Sequence, residues 1–532
     1  MTAVTRVRIA VAATGIAVVA GVTILASPGR GQPPADKPAN IAFDVSGCVA
    51  CHSGADQPGA RRFKTNFKSD EYVRLNESIV WDSKDPHSVA FKVIVPEKNP
   101  LAARMQSVLE KGKPADYRID ADVACLTCHS TDLNPTSRQP RKLEEFARQD
   151  NLGVGCTGCH GLDARWQAAH WAEPAAAGTA YPAFRMHSPE KKQKEYGLHN
   201  LRDPGTKAML CASCHVGSPA EGRTVTHEMY AAGHPPLPPF ELPAFMEHEP
   251  RHWGFASELP FLSSLIKTDA TKAWELFHAR SEAVESSAAR NLAVGSIASL
   301  KAEMMGLAAE MGKSRGALPD FARFDCYACH HDLVIPSARQ EAGYAGAPGR
   351  PPLKAWVAVV PGVVAKHAAG LSNASLKAVA AGFDAKWQAV TDAALAQPFG
   401  DSTALTAAAN DLAKWCDDFL TAIQSDVVYT PAETAKLADA LAAVAVDKQT
   451  LRDAEAVAHV TWAYATLDFA GKKDAARRDA ILALSPLKLP DREKSKGDKP
   501  ITVGSILDDR MQRFREFLPD VFRGKFVVLS GK

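Results

Sequence analysis

Ten of the eleven cysteines in this 532-residue chain fall into five copies of one pattern, and no other feature restricts the fold as much. The copies are Cys48-Val-Ala-Cys51-His52, Cys125-Leu-Thr-Cys128-His129, Cys156-Thr-Gly-Cys159-His160, Cys211-Ala-Ser-Cys214-His215 and Cys326-Tyr-Ala-Cys329-His330. C-x-x-C-H is the attachment signature of c-type haem. Each thiol adds to a porphyrin vinyl group, and the adjacent histidine reaches the iron as its proximal ligand. Zinc sites and redox disulfides also use C-x-x-C. A zinc ribbon combines such pairs in fours, however, five pairs leave one over, and neither chemistry requires the trailing histidine. The pattern therefore predicts five covalently attached haems (haem c). Cys416, in Lys-Trp-Cys-Asp-Asp, stands apart and reads as a small buried hydrophobe.

Five haems offer ten axial positions, and the motifs fill five of them. A distal His, a distal Met or an open position each implies a different chemistry. Twelve histidines lie outside the motifs, and ten of those precede residue 340, in the region that holds the motifs. His227 and His234, in Thr-His-Glu-Met-Tyr-Ala-Ala-Gly-His-Pro, are seven apart. On a helix they would sit about 10.5 Å apart along one face. Side chains pointing the same way cannot reach opposite faces of one porphyrin, so each is expected to serve a different iron. His170 follows Trp166, whose ring suits a porphyrin face. His87, after Pro86 and between Trp81 and Phe91, suits a ligand presented from a loop. These four are the expected distal ligands. For the fifth, His331 leads, with His187, His199, His248 and His252 competing and Met186, Met229 and Met246 as thioether alternatives. His367 and His459 read as structural.

The N-terminus carries two arginines in Met-Thr-Ala-Val-Thr-Arg-Val-Arg, then an uncharged apolar run over 9–26. That is a basic n-region and a long h-region, so export is expected, to the periplasm or with an anchor retained in the inner membrane. Residues 1–40 are read as signal peptide or anchor plus a Pro-rich tether. The formal net charge of +2 gives no case for nucleic acid as a partner.

Residues 41–352 are read as the pentahaem cytochrome c domain, with little regular structure around stacked haems. Within them, 271–312 reads as helix, because Ile297, Leu300, Met304, Leu307 and Met311 step by three and four. Residues 353–532 are read as an Ala-rich helical domain. Thr430, Pro431 and Glu433 form a good helix start, Leu437, Leu441 and Val444 continue one face, and Val457, Val460, Tyr464 and Leu467 mark the next helix. The fold class is mainly α.

Gly-Val-Gly-Cys-Thr-Gly-Cys-His-Gly, Cys-Ala-Ser-Cys-His with Ala-Ala-Gly-His-Pro and Glu-Pro-Arg-His-Trp beyond it, and Phe-Asp-Cys-Tyr-Ala-Cys-His-His-Asp-Leu are similar to stretches of the multihaem cytochromes related to the tetrahaem electron acceptor of hydroxylamine oxidoreductase. The resemblance covers about residues 46–352. It implies an exported electron carrier with closely stacked, mostly bis-histidine haems, and supports His170 and His234 as distal ligands, then His227 and His87. This chain departs from that family in having a fifth motif and a long C-terminal extension. Three functions are weighed: an electron carrier between redox proteins or a membrane quinol-linked complex, which has no catalytic residues of its own; an enzyme acting on a small nitrogen or oxygen species at a five-coordinate haem; and a docking subunit of a larger redox complex.

Overall fold

The computed structural model describes residues 48, 49, 52, 76–131, 153–172, 183–253, 260–277, 280–312, 320–330, 334–337, 340, 347, 349–447, 453–488 and 519–531. The chain divides into two compact units, residues 1–38 and 39–532, and every described residue belongs to the second. The export segment, Cys51 and His331 lie outside the described residues.

The described chain is mainly helical. Among those residues the sheet-type pairing consists of two isolated bridges, Ser218 with Arg223 and Phe324 with Leu353. The first half is built from short helices: α1 Glu77–Lys84, α2 Pro100–Leu109, α3 Val123–His129, α4 Cys156–His160, α5 Ala164–Ala172, α6 Pro189–Tyr196, α7 Pro204–His215, α8 His227–Ala232 and α9 Leu242–His248. They are short because start and stop signals crowd the sequence. Asn99, Asp122, Ser188, Asp203, Thr226 and Glu241 each cap a helix N-terminus through the side chain, and Pro follows the cap in α2, α6 and α7. Such helices bury little apolar surface against each other. Apart from α7 and α9, they contribute only small clusters, such as Ala102, Met105, Leu109, Ile119 and Ala232.

The second half holds longer helices: α10 Pro260–Thr268, α11 Ala270–Phe277, α12 Ser287–Met311, α13 Trp356–Ala369, α14 Ala374–Ala380, α15 Phe383–Leu395, α16 Ser402–Asp426, α17 Pro431–Val446, α18 Ala454–Lys472, α19 Ala475–Leu482 and α20 Pro519–Ser530. The single helix expected over 271–312 is two helices, α11 and α12. Ser286 ends the break: its hydroxyl caps Ala289 N–H, and its own N–H bonds to Tyr429 carbonyl. Glu285 beside it binds Arg280 and the buried Arg290. Apolar periodicity carried no sign of this polar punctuation.

α12 runs through the centre of the molecule, packed by α7, α9, α13, α16 and α18. It is long and apolar enough to cross a membrane, yet it is the mostly buried core helix. Ile297, Leu300, Met304, Leu307 and Met311 are all buried along it. One continuous core reaches from Ala208 in α7 to Phe526 in α20, so the helix of the fourth motif and the C-terminal helices share it. Thr430 Oγ accepts from Glu433 N–H at 3.2 Å at the start of α17, with Pro431 at the first helical position. Leu437 and Leu441, and Val457, Val460, Tyr464 and Leu467, are buried, and so is Cys416.

Candidate functional site

In a helical turn, residues i, i+3 and i+4 share a face, so C-x-x-C-H presents both sulfurs and the imidazole together. The fold supplies such turns. α4 is the third motif itself, α3 and α7 end on the second and fourth, and a 3-10 turn, Cys326–Ala328, holds the fifth. Aspartates set three of these turns: Asp122, Asp203 and Asp325 accept from Ala124, Thr206 and Tyr327 N–H.

The motif histidines are not solitary. Each faces one other imidazole, with ring centres 6.5 Å apart for His52 and His170, 6.3 Å for His129 and His234, 6.4 Å for His160 and His252, 6.2 Å for His215 and His87, and 6.2 Å for His330 and His227. A metal–imidazole bond is about 2.0 Å long, and the bonded nitrogen lies about 1.1 Å from its ring centre, so two imidazoles on opposite sides of one iron stand about 6.2 Å apart. The spacing is too wide for ring stacking in van der Waals contact and right for axial ligation. Among the described residues no three His, Cys, Asp or Glu side chains converge as a free metal-ion site would need. The arrangement is that of axial donors in twos, and it fits haem.

Hydrogen bonds select the ligating nitrogen. Nδ1 of His52 meets Glu77 at 2.9 Å, and Nδ1 of His87 meets Asp85 at 2.9 Å. The Nδ1 atoms of His129, His170 and His234 meet the carbonyls of Ala90, Gln167 and Pro235 at 2.7, 2.6 and 2.8 Å. Engaging Nδ1 leaves Nε2 for the metal and orients the ring. In His252 the buried Nδ1 has no hydrogen-bond partner, which leaves it open to a metal. Burial lowers the pKa of His160, His215 and His234 to about 4, so these rings are neutral at pH 7, the form that donates a lone pair. His87 behaves oppositely. Burial acts to lower its pKa, but the hydrogen bond and charge of Asp85 outweigh burial and raise it.

The elements explain the pairs. His227 opens α8, and its N–H bonds to Asp320 at 2.8 Å. Gly233, at φ 127°, then ends the helix, and His234 leaves in a new direction. One short helix thus serves two sites. His87 is held against the third motif: Val154 N–H donates to its carbonyl at 2.8 Å, Trp81 Nε1 donates to Val154 carbonyl at 3.0 Å, and a Cβ at Gly153 would collide with the His87 carbonyl. Trp166 lies between two sites, its ring 6.3 Å from His160 and 5.5 Å from His170, with Nε1 donating to Gly161 carbonyl.

The fifth partner is His252, one of the histidines that sequence left competing, whereas the leading candidate, His331, lies outside the described residues. Of the other competitors, His187 meets the Tyr196 hydroxyl at 3.2 Å, and the Nδ1 atoms of His199 and His248 meet the carbonyls of Cys159 and Ala244, which leaves their Nε2 atoms available as in the paired histidines. Met246 packs against the main core. His367 faces Glu433 at 3.3 Å, and buried His459 bonds to Trp356 carbonyl at 3.1 Å. The carboxylates Glu77 and Asp85 were missed from sequence; Asp-Pro-His was the available signal for Asp85.

Cysteines of different motifs lie near one another: Cys48 lies near Cys156, and Cys128 near Cys214. Cys159 lies near Cys211 and Cys214. A family model, cytochrome c554 and c-prime, matches residues 76–161. That segment is of the c-type cytochrome kind. It spans the second and third motifs and His87, and it implies covalently bound c-type haem there. No curated protein and no solved structure matches the chain.

Proposed function

We propose that this c-type cytochrome is an exported pentahaem electron carrier in which every haem is bis-histidine. The observation that carries the reading is the set of five imidazole pairs at axial spacing. Haem supplies one-electron redox chemistry when bound. The chain's part is to attach it through Cys48, Cys51, Cys125, Cys128, Cys156, Cys159, Cys211, Cys214, Cys326 and Cys329, and to occupy both axial positions. Proximal His52, His129, His160, His215 and His330 are opposed by His170, His234, His252, His87 and His227. Two histidines leave no position for a substrate, which favours electron transfer over activation of a small molecule. Numbering the sites by motif, the proximity of their cysteines suggests neighbours 1 and 3, 3 and 4, and 4 and 2, a serial order suited to passing single electrons. Redox proteins or a membrane quinol-linked complex would be its partners, with residues 1–40 as signal or anchor, 41–352 as the haem domain and 353–532 as the helical domain.

Haem content and electron paramagnetic resonance of the oxidised protein test this. Five haems per chain and a wholly low-spin spectrum, unchanged by cyanide or nitric oxide, are expected. A high-spin component that binds either ligand would replace the carrier by a haem enzyme.

A further inference from the structure

Aromatic rings from two distant parts of the chain line up beside His227, the ring that faces His330 at the fifth site. The backbone of His227 is fixed first. Its N–H donates to Asp320 at 2.8 Å, and the same carboxylate oxygen accepts from Ala322 N–H at 2.8 Å, capping the turn Phe321–Arg323. That turn aims Phe321 at the imidazole, edge-on, with ring centres 5.6 Å apart. Behind Phe321 stands Phe399, 5.0 Å away, and Phe399 also packs at 5.8 Å against Phe324, which is buried. All three separations are those of aromatic rings in contact. Phe399 belongs to the turn between α15 and α16, so the C-terminal helices supply the ring that backs the neighbour of an axial ligand.

Phe399 is held there against its backbone preference. Its φ is 64°, in the left-handed region that a bulky side chain rarely enters. Gly400 follows at φ 86°, its N–H bonding to Gln397 carbonyl at 2.9 Å, and Asp401 N–H returns to Ala393 carbonyl at 3.0 Å before the Asp401 side chain caps α16. The turn is also tied to the fifth motif. Arg350 Nη1 donates to Leu395 carbonyl, at the end of α15, at 2.7 Å. Just beyond Arg350, Pro352 carbonyl accepts from Asp325 N–H at 3.0 Å, and Leu353 forms a bridge with Phe324. A residue in a sparsely populated conformation persists only where its surroundings fix it, and such residues gather at functional sites. Here the conformation places a phenyl ring against Phe321, which is still 40% exposed with Phe399 in place. Without that ring, this side of His227 would open further to water.

We propose that Phe399 is a positioning residue for the fifth haem: acting through Phe321, it fixes the plane of the His227 ring, keeps water from the distal side and so holds that haem's potential up. The physical reason is charge. Ferric haem carries one more positive charge than ferrous haem, and water stabilises that charge better than a phenyl ring does, so an apolar cover favours the reduced form. This rests on the electron-carrier reading, because it takes His227 as the distal ligand of the fifth site. It gives the C-terminal helices a part in electron transfer, which is to set the potential of the haem they adjoin.

A redox titration of the holoprotein, followed by electron paramagnetic resonance, tests this. His227→Ala identifies the fifth haem as the one whose low-spin signal turns high-spin. Phe399→Gly removes the ring and leaves a residue that adopts φ 64° freely. In this variant the same signal is expected to stay low-spin with altered g-values, and its reduction equilibrium to fall on the order of tenfold, or ~59 mV. The other four haems are expected to keep their potentials. Phe399→Tyr retains the ring and is expected to retain the potential. If Phe399→Gly does not fold, Phe399→Asn decides in its place, because asparagine also tolerates the left-handed region. An unchanged fifth potential in the ring-less variant would overturn the role of Phe399 and leave the carrier reading intact. So would an equal fall of all five potentials, which marks general loosening, or a fall in Phe399→Tyr as large as in Phe399→Gly. If His227→Ala loses no low-spin signal, the ligand assignment fails, and both readings of the fifth site fail with it.

Discussion

At the scale of single residues, the informative feature is a distance. Nothing in a list of seventeen histidines says which of them oppose one another, but a ring separation near 6.3 Å does. His252 is the sharpest case. It follows the Glu-Pro-Arg turn after α9 and faces His160 across the third site. His252→Ala is expected to convert one haem in five to a high-spin, ligand-binding form, visible by paramagnetic resonance and by cyanide titration. His331→Ala is expected to leave the spectrum low-spin. The opposite result would return the fifth distal position to His331. The carboxylates beside the ligands matter in the same way. Asp85 accepts from the backbone N–H of His87 and engages its Nδ1, so one side chain sets both the turn and the ring orientation.

At the scale of elements, the fifth motif depends on a helix far from it in sequence. Arg323 donates to Glu303 at 2.9 Å and to Glu310 at 2.8 Å, all three side chains nearly buried. α12 makes room with Gly306, where a Cβ would lie 2.6 Å from the guanidinium. Removing one member of such a cluster strands the others' charges. Arg323→Met is expected to cost about 3–5 kcal/mol, read as a lower denaturant midpoint, with the fifth site the first to lose its low-spin ligation. Replacing Arg323, Glu303 and Glu310 together by apolar residues of similar volume is expected to recover most of that loss. If the single variant is as stable as wild type, the cluster does not hold the motif.

At the scale of the whole molecule, two kinds of core meet. The C-terminal helices pack an ordinary aliphatic and aromatic core around α12, whereas the short helices before α7 bury few apolar residues against one another. The ordinary core contains a titratable group. Burial lowers the pKa of His459 from 6.5 to about 4. The unfolded chain takes up this proton near pH 6.5, and the folded chain does so only near pH 4. The contribution is therefore complete above pH 6.5 and is lost as pH falls through that window. Between about pH 7 and about pH 5 it amounts to about 2 kcal/mol. The stability of His459→Gln is expected to fall less over that interval than that of wild type, and identical slopes would contradict it.

Covalent attachment was legible from sequence because it is local: two thiols and an imidazole on one helical turn need only the spacing C-x-x-C-H. Thr430 as a helix cap and the buried stripe of α12 were legible for the same reason, since caps and periodicity are short-range. The split between α11 and α12 was not, because Ser286 and Glu285 act through partners in the C-terminal half, Tyr429 among them. Axial pairing was not either. The partners His52 and His170, or His227 and His330, are more than a hundred residues apart, and only the folded chain brings the rings of each pair within 6.5 Å. Sequence alone determined how many C-x-x-C-H motifs this chain carries and at which residues. Tertiary structure decided which histidines face each other and which sites are neighbours, because those depend on long-range packing that no local pattern encodes.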